Sequence, residues 1–221
     1  MILKEGGWMD VSEPISKNTI VWPGDPQAII TQIASYDIGD NYQLSEVFLN
    51  LHTGTHVDAP LHFIKEGKDV TQIRLDALMG EAKVLDASAQ KGISTDWLMT
   101  KNLRKGDRVL FKTMNDTDNR QEKLSQIDFI ALDVDAAYYL SELGIVLAGI
   151  DGLSIATANE LNETHIVLLK NDVVIVEVLN LTGIEEGNYK MICLPIKIEG
   201  AEAAPARVLL RQTEVAFLNV L

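Results

Sequence analysis

Three histidines and one aspartate lie close together in the segment His-Thr-Gly-Thr-His-Val-Asp-Ala-Pro-Leu-His, which runs from His52 to His62. Its eleven residues contain three of the four histidines of the chain: His52, His56 and His62, with Asp58 between the last two. Neutral imidazole and carboxylate are ligands of Zn, Mn and Fe, and no cysteine lies nearby to complete a closed structural zinc site. The residue types therefore predict an open, reactive metal site. The alternative is a surface loop that is merely rich in histidine, or histidines hydrogen-bonded in a core.

The spacing of these residues favours an extended chain that bends. A helix would place His52 and His56 one turn apart, but Gly54, Pro60 and two threonines disfavour a helix here. In an extended chain, positions 52, 56, 58 and 62 share a parity and point the same way. A straight strand would spread them over about 33 Å at ~3.3 Å per residue, which is too wide for one site. We therefore expect bends at Gly54 and Pro60.

Glu177 is a charged residue inside the apolar run from Val173 to Leu181. Both faces of this run are apolar, as in a central strand that is covered on each side. A carboxylate buried there costs several kcal/mol unless it is paired or bound to a cation. The alternatives are an edge strand whose glutamate reaches solvent and an ion pair with a remote cation such as Arg207.

Two further residues have weaker signals. His165 is the remaining histidine and precedes the Glu177 strand; if it joins the others, every histidine belongs to one site, and otherwise it is structural. Trp22 begins the turn Trp-Pro-Gly-Asp, which ends at Asp25 and predicts a rigid loop able to hold an aromatic side chain at a pocket mouth. The alternative for Trp22 is an ordinary core or surface aromatic.

The composition indicates an acidic protein with a substantial core. Of the 221 residues 47% are apolar, and 19 Lys plus Arg against 32 Asp plus Glu give a formal net charge of -13. This balance argues against a nucleic-acid partner, because such proteins cluster Lys and Arg. Charges interrupt every apolar stretch well short of the ~20 residues of a membrane helix, so we expect no membrane partner. The single cysteine, Cys193, cannot form an internal disulfide, which favours the reducing cytoplasm.

Elements that could position these residues alternate along the chain and predict a single α/β domain over residues 1–221, with a mixed central sheet and covering helices. The predicted strands are 29–34, 47–51, 82–85, 108–112, 129–133, 146–150, 173–181, 191–198 and 207–211. The predicted helices are 94–100, one over 136–143 that Asp135 caps and Gly144 stops, and one that opens at Ser154 or Thr157 and reaches about His165.

The segment from His52 to His62 resembles, almost letter for letter, the signature of the metal-dependent cyclase-like hydrolases, a family that includes bacterial kynurenine formamidases and isatin hydrolases. The resemblance also takes in segments 10–14, 22–25, 149–154, 165–177 and 194–207. It covers nearly the whole chain, whose compact length is similar to the formamidase branch. It implies an α/β fold of the swivelling β/β/α type and a homodimer or homotetramer with active sites near the subunit interface.

The resemblance implies two metal positions. His52, His56 and Asp58 would hold one divalent ion. Asp58 would bridge to a second ion that His165 and Glu177 complete, with Glu177 also touching the first. The ions implied are zinc, two per subunit, with manganese as the alternative.

The same resemblance makes His62 the proton donor and acceptor and Trp22 the contact for an aryl substrate. The implied activity is an arylformamidase that converts N-formylkynurenine to kynurenine and formate with a metal-generated hydroxide. Leu153 and Ala156 stand where formamidases tend to have Pro and Asp, so the substrate stays open. The alternatives are a hydrolase of this fold that opens a cyclic amide or lactone, and a non-catalytic metal-dependent binding module. A serine hydrolase is disfavoured because Ser154 lacks a Gly-x-Ser-x-Gly context.

Overall fold

The fold was analysed in a computed structural model that describes residues 4–5, 7–114, 124 and 129–213. The strands are β1 (Lys4–Glu5), β2 (Trp8–Asp10), β3 (Ile29–Ala34), β4 (Leu44–Phe48), β5 (His56–Asp58), β6 (Met79–Asp86), β7 (Arg108–Lys112), β8 (Leu147–Ile150), β9 (Val174–Glu177), β10 (Gly187–Pro195) and β11 (Ala203–Gln212). The helices are α1 (Leu75–Leu78), α2 (Thr95–Met99), α3 (Val134–Leu143) and α4 (Leu161–Lys170). Short 3-10 turns cover Tyr36–Ile38, Pro60–His62 and Val70–Gln72.

Seven of these strands form a closed mixed sheet. Strands β6, β7, β8 and β9 are parallel neighbours in that order. The antiparallel strands β10, β11 and β5 close the circle, because β11 pairs with β10 on one side and with β5 on the other, and β5 pairs with β9. The mixed α/β architecture predicted from the sequence is confirmed, with the difference that the sheet closes on itself.

The two faces of each strand feed two different cores, because successive side chains point to opposite faces. Val57, Leu110, Val176 and Cys193 face the interior of the closed sheet and belong to its core. The outward faces of β7, β8 and β9 carry a second core under α2, α3 and α4, to which Ile175 belongs. The helices therefore cover one side of the barrel, and a residue of β9 with the parity of Ile175 lies between the sheet and α4.

Several predicted boundaries differ from the structure. The run predicted as a strand over 129–133 makes only isolated bridges, at Leu132, to Ile93 and Ala156. The helix that carries His165 begins at Leu161 rather than at Ser154 or Thr157. Residues 152–156 instead form a loop that makes hydrogen bonds with the end of β9. Helix α3 begins at Val134, so Asp135 is its second residue rather than its cap, and Gly144 ends it with φ 78 as predicted.

Strands β3 and β4 form a two-stranded arm, residues 29–48, outside the closed sheet. Nearly all of its side chains are exposed, although many are apolar. The described residues contain fifteen exposed large apolar side chains, and nine of them lie in the arm: Ile29, Ile30, Ile33, Tyr36, Ile38, Tyr42, Leu44, Val47 and Phe48. An isolated two-stranded sheet with this composition is marginal in water. We therefore expect the apolar side chains of the arm to pack against another protein surface.

The chain bends where the sequence predicted. Gly54 adopts φ 68, which lets the chain turn before β5, and Pro60 opens the 3-10 turn that ends at His62. Gly67 packs against this turn, since a Cβ there would lie 2.5 Å from the Pro60 carbonyl carbon and 2.6 Å from the Leu61 nitrogen. No helix among the described residues has the length and apolar character needed to cross a membrane.

We expect Gly67→Ala to destabilise the protein by about 1–3 kcal/mol, because the added methyl group must displace backbone atoms of the turn at Pro60. Chemical denaturation measures the change. Gly152→Ala is the matched control, since a Cβ there meets its nearest atom at 3.5 Å, an ordinary contact. Equal stability of the two variants would contradict the tight packing inferred at Gly67.

Candidate metal centre

Four of the predicted site residues gather on the outer face of β5 and β9, under α4. His56 and Asp58 flank Val57, which points into the barrel, so both point outward. The antiparallel register places His56 directly opposite Glu177. Helix α4 lies over this strand pair and supplies His165 from above. The prediction that Glu177 belongs to a strand covered on both faces is confirmed, since β9 lies between β8 and β5.

The side chains form two groups that share one carboxylate. His52, His56 and Asp58 have ligand atoms within 4.8 Å of one another, and so have Asp58, His165 and Glu177. Asp58 Oδ1 lies 3.1 Å from His52 Nδ1 and 3.4 Å from His56 Nε2, whereas Asp58 Oδ2 lies 3.8 Å from His165 Nε2. The two oxygens of Asp58 thus face different groups. A carboxylate placed in this way could contact a cation in each group.

Glu177 completes the second group and reaches the first. Its Oε1 lies 3.2 Å from His165 Nε2, and its Oε2 lies 3.4 Å from His56 Nε2. Ion pairing of Glu177 with Arg207, one alternative left by the sequence, is wrong, because Arg207 pairs with Asp10 at 2.6 Å. The alternative that Glu177 lies on an edge strand is also wrong, because β9 pairs with β8 on one side and β5 on the other.

Backbone carbonyls fix which nitrogen of two histidines faces the site. His56 Nδ1 donates to the Gly54 carbonyl at 2.8 Å, and His165 Nδ1 donates to the Leu161 carbonyl at 2.7 Å. When either ring is neutral, this bond keeps its proton at Nδ1 and leaves the lone pair at Nε2, which faces the carboxylates. Metal-ligating histidines characteristically donate their other ring nitrogen in this way.

The loop before α4 orients Glu177. Ser154 Oγ donates to Glu177 Oε1 at 3.0 Å, and the Ile155 amide donates to the same oxygen at 2.7 Å. Sequence reasoning disfavoured Ser154 as a nucleophile and missed this role as a hydrogen-bond donor to a carboxylate. The only sequence signal for it was its place in the segment 149–154.

A left-handed residue ends β9 directly after Glu177. Val178 has φ 58, an uncommon conformation for a β-branched residue. Its amide donates to the Gly152 carbonyl at 3.0 Å, and its own carbonyl accepts from Thr55 Oγ1 at 2.6 Å. These two bonds, to Gly152 and Thr55, hold the backbone of Val178 on both sides. They therefore also fix the position of Glu177, the residue before it at the end of β9.

Unsatisfied buried atoms show that the residues fit a bound cation. Asp58 is 1% exposed, and neither of its oxygens has a hydrogen-bond partner; nor has His56 Nε2. Buried polar atoms without partners are costly, and most buried polar groups in native proteins are paired. All three atoms belong to residues of the two ligand groups. A divalent cation bound there would satisfy them, and the histidine and carboxylate donor set suits zinc or manganese.

The protonation equilibria describe two charged carboxylates beside imidazoles that they hold protonated. Burial opposes ionisation of Asp58, but its contacts with His52 and His56 hold its pKa well below the usual range. Burial and the charge of Asp58 raise the pKa of Glu177, yet His165 and His56 outweigh them and lower this pKa to about 2. Burial lowers the pKa of His56, and the two carboxylates outweigh it and raise this pKa to about 10. Both carboxylates are therefore charged at neutral pH with protonated His56 between them, and a metal ion would bind here with release of that proton.

A cavity of about 210 Å³ opens above the two groups. Its walls are Trp22, Asp25, His52, His56, His62, Phe63, Leu153, Ser154, Leu161, His165 and Glu177. His62 lies 4.2 Å from His52 between ring centroids and 6.0 Å from His165, so it borders both groups. Trp22 is on the cavity wall and packs partly against a small core that includes Leu153 and Val178.

The loop that carries Trp22 is tied to the start of the histidine segment. Asn50 Nδ2 donates to Asp25 Oδ2 at 2.7 Å, and the Asp25 amide donates to the Trp22 carbonyl at 2.9 Å. The arm of residues 29–48 runs between these two anchor points. The cavity wall and the base of the arm are therefore one connected structure. All seven site residues predicted from the sequence lie at this cavity or, in the case of Asp58, directly beneath it.

Comparisons with known proteins agree with this geometry. Residues 9–157 match the sequence model of a family described as "Putative cyclase". A kynurenine formamidase of Salinibacter ruber is 33% identical over 206 residues, covering 92% of this chain and 96% of the relative. A solved structure described as a potential metal-dependent hydrolase with cyclase activity is 36% identical, with TM-score 0.81, over 94% of this chain and 98% of the other. An isatin hydrolase bound to thioisatinate is 20% identical, with TM-score 0.80, over 94% and 92%, and supports the fold alone.

We expect His52→Ala and Glu177→Gln to lose bound metal, because each removes a ligand atom from one of the two groups. His62→Ala should keep its metal, since His62 borders the groups without belonging to either. Elemental analysis of the purified proteins measures the content, and chelation should lower the melting temperature of the wild type. Full metal content in Glu177→Gln would contradict the ligand assignment.

Proposed function

The chain belongs to the cyclase family, and from that premise we propose that it is a metal-dependent amide hydrolase of the arylformamidase type. The observation that carries the proposal is the carboxylate of Asp58 shared between two ligand groups under a cavity. We propose His52, His56 and Asp58 as the ligands of one ion and Asp58, His165 and Glu177 as those of the second. Zinc is the proposed ion, with manganese as the alternative.

When bound, divalent ions at these positions supply a Lewis acid for the substrate carbonyl and lower the pKa of coordinated water. The remaining chemistry falls to the chain. Water adds to the formyl carbon, the C–N bond breaks, and the products are formate and a free amine. The amine needs a proton as it leaves, and the attacking water must give one up.

His62 is the group suited to move that proton. It is partly buried at the cavity wall, and it borders both ligand groups. Burial lowers the pKa of His62, the charge of Asp58 opposes this, and the net shift is downward. The ring is therefore neutral at pH 7 and can accept a proton from water, then return it to the departing amine. The edge contact with Phe63, at 4.4 Å between centroids, holds the ring in place.

Aromatic walls support an aryl substrate. Trp22 and Phe63 border the same small cavity as His62, and an aryl amide would stack on Trp22 as the amine departs. The curated relative named above is a kynurenine formamidase, so N-formylkynurenine is the proposed substrate and tryptophan degradation the proposed setting. A cytoplasmic location is proposed because the single cysteine, Cys193, cannot form an internal disulfide.

A cyclic amide or lactone is the second candidate substrate. Leu153, which departs from the formamidase pattern, lies on the cavity wall, so the departure is placed where it can change specificity. The isatin hydrolase with the same fold makes ring opening chemically reasonable for this scaffold. A non-catalytic binding module is disfavoured by His62, which no metal group uses.

A homodimer or homotetramer is also proposed, and the arm of residues 29–48 supports it. Its nine exposed apolar side chains would be buried by contact with another protein surface. The arm of a second copy of the chain has the same apolar side chains, so two arms could bury each other. The base of the arm is bonded to the Trp22 loop through Asn50 and Asp25. Association through the arm would therefore also brace the cavity wall.

We expect His62→Ala to retain its metal and lose turnover of N-formylkynurenine by roughly 10²–10⁴-fold, because proton transfer is removed without disturbing the ligands. Release of kynurenine, followed by its absorbance, measures this. The same assay with formanilide, isatin and a simple lactone separates the candidate substrates. Metal-free protein with full activity would refute the proposed function.

We expect Val47→Glu to weaken association of the copies, because it places a charge in the apolar surface of the arm, where Val47 is 56% exposed. Light scattering on a sizing column measures the mass. Met99→Glu is the matched control, since Met99 is 65% exposed and lies outside the arm. An unchanged mass for Val47→Glu, or a monomeric wild type, would contradict an arm-mediated oligomer.

A further inference from the structure

The three histidines of the two ligand groups differ in the group that contacts their second ring nitrogen, the one that faces away from the carboxylates of those groups. His56 and His165 each donate this proton to a backbone carbonyl. His52 turns its Nδ1 to Asp58, at 3.1 Å, so its Nε2 points away from the group. The group that faces this Nε2 is the carboxylate of Glu202, with Oε1 at 3.6 Å. His52 is thus the one of the three whose second ring nitrogen faces a side chain rather than a backbone carbonyl.

Glu202 is held in place by the closure of the barrel. Its carbonyl accepts from the Ala59 amide at 2.8 Å, and the next residue, Ala203, is paired with Asp58 in the register of β5 and β11. The turn before it is fixed from the other side, because the Gly200 amide donates to Asp69 Oδ2 at 2.8 Å. The backbone of Glu202 therefore has a fixed relation to Asp58, the shared carboxylate.

We propose that Glu202 is a positioning residue whose carboxylate, 3.6 Å from His52 Nε2, attracts the proton on that nitrogen and so keeps Nδ1 of the same ring turned toward the first metal position. The proposal rests on the metal-dependent function proposed above. Because Glu202 lies at the edge of the imidazole opposite to Asp58, it acts through His52 and does not touch substrate. The side chains of His52 and Glu202 are 18% and 39% exposed, so this pair is the outer edge of an otherwise buried centre.

The inference predicts an asymmetry between the two metal positions. The group of Asp58, His165 and Glu177 contains no ligand that depends on Glu202, so its affinity should be unaffected by a change there. The group of His52, His56 and Asp58 should lose affinity. Partners that orient ligating histidines are typically worth about 10–100-fold in metal affinity.

The test is a titration of metal-free protein with Zn²⁺ in the presence of a competing chelator, which resolves the two binding events without an activity assay. We expect Glu202→Ala to weaken one event about 10–100-fold and to leave the other unchanged. Glu202→Gln should bind more tightly than Glu202→Ala, because its amide oxygen still accepts the proton. Glu199→Ala is the matched control, since Glu199 is exposed in the same turn and its removal changes the charge equally.

The spectrum of the Co²⁺ forms gives a second measurement, since a change at His52 alters the ligand field of one ion only. Two unaltered binding events in Glu202→Ala, or an equal loss in Glu199→Ala, would overturn the role of Glu202. A wild type that binds no metal would instead refute the proposed function. The two failures are therefore distinguishable.

Discussion

The structure depends on two carboxylates buried side by side on neighbouring strands. Asp58 and Glu177 lie on the outer face of the barrel, where water is excluded by α4. Like charges in such a place repel each other and lose hydration, and the protein surrounds them with imidazoles rather than with lysine or arginine. An ammonium or guanidinium group would neutralise the pair permanently. A protonated imidazole can instead release its proton when a metal ion binds, and its nitrogen can then be a ligand.

The closed sheet is what brings the carboxylates together. Strand β5 has only three residues, yet it pairs with β9 on one side and β11 on the other. A single shift of register would turn Asp58 and His56 into the barrel and bring Val57 to the site, since side chains alternate. The apolar interior around Val57 therefore fixes the register, and the same packing fixes the ligand geometry. Stability of the core and placement of the site are one constraint.

Local patterns in the sequence predict the ligand residues better than they predict what supports them. The segment from His52 to His62 contains its own bends, and the apolar run around Glu177 indicates burial, so both could be interpreted without a structure. The roles of Ser154 and Glu202 could not be predicted in this way. Their partners, Glu177 and His52, are 23 and 150 positions away in sequence and come into contact only when the barrel closes. Barrel closure itself depends on the pairing of β5 with β11, which no periodicity reveals.

The misplaced elements have the same cause. Residues 129–133 have the composition of a strand, but here only Leu132 makes bridges, and its partners are the distant loop residues Ile93 and Ala156. The helix with His165 was predicted to begin too early, because Ser154 has a capping side chain that here donates to Glu177 instead. In both places a non-local contact overrides the local preference of the chain.

The rigid and the adaptable parts of the site are separated in the fold. His56, Asp58, Glu177 and His165 lie on strands or a helix, with their orientation fixed by register or by backbone carbonyls. Trp22 and Leu153 lie on loops that line the same cavity, and the Trp22 loop is bonded to the base of the arm. Leu153 itself belongs to neither ligand group, so a change of its side chain can reshape the space for substrate. For this reason a departure from the formamidase pattern in this loop bears on which amide is bound, while the metal chemistry of the strands is unaffected.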